Sequence, residues 1–150
     1  METVQTTSYV RKLDFKNLVA EGKDVFPVLV NDYGTVYVTS ITRDGCSGCT
    51  EQKPLFEKLA EKIGREHPGK AKFSNIHVHY QESHEDESQE AKNILGHASY
   101  PTYMVHVNSR YGPLEHYRVA YPKMEELETQ ILNAFDLAKH YKDETQKKSN

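Results

Sequence analysis

Residues 35–41, TVYVTSI, form a β-branched and aromatic run that reads as a buried strand, and it leads directly into RDGCSGCTEQKP at residues 43–54. Beyond that stretch Leu55, Phe56, Leu59 and Ile63 recur at helical spacing until HPGK breaks the pattern at residues 67–70. A buried strand, two cysteines and an amphipathic helix in immediate succession constrain the fold more than any other feature of the chain. By spacing alone the cysteines are a redox pair, half of a metal site, or two buried thiols.

The elements on either side extend the same alternation. SYVRKL reads as a strand, DFKNLVAEG as a helix with Phe15, Leu18 and Val19 inward and Gly22 as a stop. FPVLV and the turn-like NDYG precede the cysteine strand and leave a hairpin there as an option. KFSNIHVHY is a strand; ESHEDESQEAKNILGHA is a helix with Ser83 and Asp86 at capping-box spacing. TYMVHV and LEHYRVA are strands joined by NSRYGP, close enough to pair antiparallel, and a helix from about Lys123 to Tyr141 carries Met124, Leu127, Ile131, Phe135 and Ala138 on one stripe. The expected fold class is therefore α/β, a central mixed sheet of four to five strands flanked by helices on both faces. Residues 8–141 are expected to form one domain, with polar, flexible termini at 1–7 and 142–150.

Charge excludes some functions. With 19 basic against 22 acidic residues the net charge is -3, and no basic cluster combines with aromatics, so nucleic acid is not an expected partner. No run of about 18 apolar residues suits a membrane span, and METVQTTSYVRKLDF lacks the apolar centre of a signal peptide, so a cytoplasmic monomer is expected. The 2 cysteines both lie in CSGC, leaving no second pair for a four-cysteine zinc site.

If the helix begins near Cys46, that sulfur sits over unpaired N–H groups at the positive end of the helix dipole, which favours thiolate over thiol. Cys49 lies one turn deeper. Cys46 is then the nucleophile on a partner disulfide and Cys49 the resolving thiol. Gly45 and Gly48 allow a partner chain to approach the sulfurs, with Ser47 between them on the same surface. Pro54, inside the helix, costs roughly 3 kcal/mol there and suggests a bend.

Pro54 five residues past Cys49, and Tyr100-Pro101-Thr102 just before a strand, complete a pattern in which the chain resembles the thioredoxin superfamily over residues 8–141. The resemblance implies that fold, a cis Pro101 packed against the cysteine pair, and a Tyr100 backbone that pairs with an extended substrate. It implies thiol-disulfide oxidoreductase activity on protein thiols and disulfides, with a separate reductase or oxidant for turnover. It implies no organic cofactor, since the Cys46–Cys49 pair stores both electrons. Departures are clear. Gly45 stands where a tryptophan is usual, Ser47-Gly48 replace Gly-Pro, and Ser40 occupies the position of the buried aspartate that serves the resolving thiol. His77 falls near a strand lysine of the family and is the candidate substitute.

The alternatives are a non-catalytic thioredoxin-fold binding module or a metal-bridged CxxC protein holding zinc or an iron–sulfur cluster. HVH at residues 77–79 could add two imidazoles to the sulfurs, but the separation from Cys49 is long for a compact finger, and no metal is expected. His97 is near Pro101 in sequence and is a candidate neighbour of the site. His67, His84, His116 and His140 read as solvated, and Tyr103, Tyr111, Tyr117 and Tyr121 as packing residues.

Overall fold

A computed structural model describes residues 8–20, 22, 24–80 and 85–148. The chain runs β1 (Val10–Asp14), α1 (Phe15–Val19), α2 (Val25–Leu29), β2 (Val36–Arg43), α3 (Ser47–Glu66), β3 (Ala71–Val78), α4 (Glu85–Leu95), β4 (Thr102–Ser109), β5 (Gly112–Ala120) and α5 (Met124–Lys148). Among the described residues the strands form one sheet in the order β1-β3-β2-β4-β5. The first three are mutually parallel, and β4 and β5 are antiparallel to their neighbours, so the sheet is mixed.

Period-two alternation along the central strands divides the core between two faces. Val36, Val38, Phe73 and Val105 pack against Phe56, Leu59 and Ile63 of α3 and Leu127 and Ile131 of α5. On the opposite face Ile41, Ile76, Val78 and Met104 meet Phe15 of α1, Val25 of α2, and Ala91 and Leu95 of α4. Every residue of β4 is buried, as befits a strand flanked on both edges and covered on both faces.

Two expectations are corrected. FPVLV does not form the arm of a hairpin: residues 25–29 are the helix α2, and Pro27 stands within its first turn, where the missing N–H has no intrahelical acceptor to lose. The expected tail from residue 142 is helical through Lys148. KDETQKK contains neither Gly nor Pro and consists largely of good helix formers. The Lys142 stem also lies against Gly34, whose backbone leaves no room for a Cβ beside it. Residues 1–7, 149 and 150, and the Ser83 cap, lie outside the described residues.

One buried polar contact joins the layers. Tyr103 of β4 donates from its hydroxyl to Gln52 Oε1 of α3 at 2.8 Å, and Gln52 Nε2 donates to the Pro122 carbonyl at 2.8 Å. Tyr103→Phe leaves the Gln52 oxygen buried without this donor, which is expected to cost about 1–3 kcal/mol, read as a lower urea midpoint at unchanged m-value.

Candidate active site

Strand β2 delivers Asp44, Gly45 and Cys46 to the carboxyl end of the sheet. Gly45 has φ +73°, a conformation natural to glycine, and this turn brings Cys46 to the N-cap of α3. Cys46 has extended backbone, φ -100° and ψ 107°, and its Sγ accepts the Cys49 N–H at 3.1 Å. The sulfur thus takes the place of a capping serine or aspartate oxygen, at the positive end of a 20-residue helix. Cys46 and Cys49 are joined by a disulfide, their Cα atoms 5.2 Å apart. Cys46 is partly exposed and Cys49 is buried, so the residue that caps the helix is also the more accessible of the two.

The other sequence candidates gather around this pair to differing degrees. The Tyr100–Pro101 peptide bond is cis. Pro101 is buried, and its Cδ lies 3.4 Å from the point a Cβ on Gly48 would occupy. The Tyr100 side chain anchors on α4: its hydroxyl donates to the Ser88 carbonyl at 3.1 Å, and its ring meets His97 edge-on at 4.6 Å between centroids. Ser47 is exposed at the first position of α3. Pro54 sits on the exposed face of α3, which continues through it from Ser47 to Glu66.

Tyr121 belongs to the site although its sequence position reads as packing alone. Its ring carbons come within 3.2 Å of a Cβ position on Gly48, its N–H donates to the Pro101 carbonyl at 3.1 Å, and its hydroxyl donates to Glu51 Oε2 at 2.6 Å. It also holds φ 47°, which is rare for a residue bearing a Cβ. A side chain at position 48 would press on a tyrosine 73 residues away, whose ring would have to shift by a few tenths of an ångström. The ring and Pro101 form one wall beside the cysteine pair.

Behind Cys49 is a cavity of about 620 Å³ between α3 and the β1-β3-β2 edge, lined in part by Ser40, Thr42, Asn75 and His77. Ser40 and Asn75 are register partners across β2 and β3, as are Thr42 and His77, so the four side chains share one face. Asn75 Nδ2 donates to Ser40 Oγ at 2.9 Å and to Thr42 Oγ1 at 3.0 Å. Ser40 is buried and has no carboxylate to offer. His77, the candidate substitute, lies 2.9 Å from Thr42 Oγ1 through Nδ1 and donates through Nε2 to Asp44 Oδ1 at 2.6 Å.

That bond continues into a cluster. Asp44 Oδ2 accepts the Tyr80 N–H at 3.2 Å and faces His79 Nδ1 at 3.1 Å, while His79 Nε2 donates to Asp14 Oδ2 at 2.7 Å. The His77 hydrogen bond foremost, with the Tyr80 N–H and His79, holds the Asp44 carboxyl down at about 2. Hydrogen bonds donated to Asp44, foremost, and then to Asp14 raise His79 above the usual imidazole range. His97 is buried with neither nitrogen paired among the described residues, and burial pushes it down to about 4. It reaches Tyr100 but is on the α4 side, away from the cavity behind Cys49. Asn75, Thr42, Asp44 and Tyr121 were not among the sequence candidates; the first two could have been found, because they stand two residues from His77 and Ser40 on alternating strands.

No protein-family model and no curated protein matches the sequence. Solved structures do. A thioredoxin from Trichomonas vaginalis superposes with a TM-score of 0.60 at 10% identity, covering 85% of this chain and 98% of its own. Thioredoxin NaTrxh from Nicotiana alata gives 0.59 at 19% identity over 87% of this chain and 97% of its own. The structure of a complex of ferredoxin:thioredoxin reductase and thioredoxin f2 gives 0.59 at 18% identity, over 86% of this chain and 97% of the matched one. Identity this low speaks for architecture, and architecture agrees: the chain has the thioredoxin fold, with the CSGC disulfide at the start of α3.

Proposed function

We propose that the protein is a thiol-disulfide oxidoreductase acting on protein thiols and disulfides. The observation that carries this reading is the Cys49 N–H held 3.1 Å from Cys46 Sγ at the N-cap of α3. A hydrogen bond and a helix dipole aimed at one sulfur stabilise its thiolate, the form that attacks. In the reducing direction the Cys46 thiolate attacks a partner disulfide, forming a mixed disulfide and expelling one partner thiolate. The Cys49 thiolate then attacks Cys46 Sγ, which regenerates the Cys46–Cys49 disulfide and releases the second partner thiolate; two electrons have passed to the partner. A separate reductase restores the dithiol. Run backwards with an oxidant, the same steps insert disulfides.

Support for a polypeptide partner comes from the surface around Cys46. Gly45 and Gly48 carry no side chains, Ser47 is small and exposed, and Tyr100-Pro101 borders the pair. An extended segment can lie along such a wall. The use of cysteine at only 2 positions, both in this motif, fits a reducing compartment such as the cytoplasm.

The test is equilibration of the protein in glutathione buffers of graded potential, with free thiols counted by mass spectrometry. A reversible two-electron transition is expected, a tenfold change in the dithiol-to-disulfide ratio for about every 30 mV. Cys46→Ser removes the transition. A pair that never oxidises at any poise, together with stoichiometric zinc or iron bound through the cysteines, would sink this reading.

A further inference from the structure

The carboxyl ends of the three parallel strands bring together side chains that disulfide exchange does not use. Asp14 ends β1, Asp44 follows β2, and His77 and His79 stand at the end of β3. Crevices outside the carboxyl ends of parallel strands are where open α/β sheets collect ligands. From this arrangement we propose that His77 Nε2, His79 Nδ1 and the Asp44 carboxylate form a binding site for a borderline divalent cation of the zinc class.

The donor atoms converge. One ligand atom from each of Asp44, His77 and His79 lies within 4.8 Å of the others. The imidazole nitrogens approach the two oxygens of one carboxylate at 2.6 and 3.1 Å. In a tetrahedral zinc site with bonds near 2.0–2.1 Å, neighbouring ligands are about 3.3 Å apart. A small rearrangement of half-exposed side chains, around separations that bracket this spacing, therefore admits the ion.

The outer nitrogens argue for a site more strongly than the inner ones. A metal-binding histidine is oriented by a partner on its other nitrogen. His77 Nδ1 has Thr42 Oγ1 at 2.9 Å, and His79 Nε2 has Asp14 Oδ2 at 2.7 Å. Asp14 is itself fixed, because its second oxygen caps α1 by accepting the Lys16 N–H at 3.0 Å and the Asn17 N–H at 3.4 Å. Both rings are thus held from outside with their remaining nitrogens aimed at one point. Two imidazoles and a carboxylate suit zinc, cobalt, nickel or copper over magnesium or calcium. Three protein ligands leave the fourth position to water, on the edge of the cavity behind Cys49. No sulfur takes part, so the site is separate from the cysteine-bridged metal weighed from the sequence and does not depend on the redox reading.

The test uses the full chain in its oxidised form, alongside a Cys46→Ser/Cys49→Ser variant in which no thiolate can bind metal. Zinc is titrated by calorimetry and cobalt by visible absorption. Both proteins are expected to bind one equivalent at roughly micromolar Kd or tighter, and cobalt to give d–d bands without sulfur charge transfer. His77→Gln or His79→Gln is expected to weaken binding at least about 100-fold, and Thr42→Val or Asp14→Asn about 10-fold through the lost orienting contact. In case a variant misfolds, zinc is also titrated into the wild-type protein with its imidazole nitrogens followed by NMR; the signals of His77 and His79 should move, and those of His97 and His106 should not. Absence of saturable binding, binding lost with the cysteines, or zinc shifts confined to other histidines overturns the site. Failure of the glutathione titration would leave all of these readouts intact.

Discussion

Cys49→Ser is expected to lower disulfide-reductase turnover by roughly 10³-fold or more while leaving Cys46 reactive. The intramolecular thiol resolves the mixed disulfide with an effective molarity that reaches 10⁵ M or more in well-oriented cases. External thiol at millimolar concentration offers nothing comparable. Cys46 retains its place at the N-cap, and serine at position 49 keeps the backbone N–H that bonds to its sulfur at 3.1 Å. The variant should therefore accumulate as a mixed disulfide with its partner, visible by mass spectrometry as a covalent adduct cleaved by dithiothreitol. Cys46→Ser should form no such adduct. The same adduct identifies the partner, so this measurement bears on specificity as well as mechanism. Equal trapping by both variants would remove the asymmetry between the exposed and the buried cysteine.

Acid is expected to destabilise the fold well before the carboxylates titrate. His97 is 3% exposed and His106 4%, and both are pushed down to about 4 from an ordinary 6.5, chiefly by burial. Lys92 and Arg118 add to the effect at His97; at His106, Arg118 adds to it and Glu115 opposes it. His106 stacks on Phe26 with centroids 4.4 Å apart, and its Nδ1 has no partner among the described residues. Well above pH 6.5 both histidines are neutral in the folded and unfolded chain, and their contribution to stability is complete. Between 6.5 and about 4 the unfolded chain binds protons that the folded one refuses, so stability falls with pH and levels off below. At 1.36 kcal/mol per pH unit the loss is up to about 3 kcal/mol for each histidine, against a total stability of about 5–15 kcal/mol for a typical domain. Urea midpoints at pH 7, 5.5 and 4.5 should descend steeply, and the imidazole signals of His97 and His106 should be unmoved at pH 6. A signal from either titrating near 6.5 in the folded protein would falsify this account.

The same residues illustrate where sequence reasoning succeeds and where it stops. The central strand, the helix after CSGC and the stripe from Met124 to Ala138 were legible because each repeats with a local period of two or about 3.6. FPVLV misled because five residues are too few to show which period they follow. Polar composition does not mark the end of α5, because nothing in KDETQKK breaks a helix and α5 runs to Lys148. Tyr121 carried no signal at all. Its position over Gly48 depends on the hairpin of β4 and β5 returning the chain to Pro101, where its N–H meets the Pro101 carbonyl.

From the sequence alone came the CxxC at a strand-to-helix junction and the order of most elements, since both rest on neighbours within a few residues. The tertiary structure alone decided that β3 lies between β1 and β2, and with it that Asp14, Asp44, His77 and His79 converge at one edge. Such meetings depend on strand order and register, which arise when whole faces are buried against one another, and no local repeat in a chain records which face meets which.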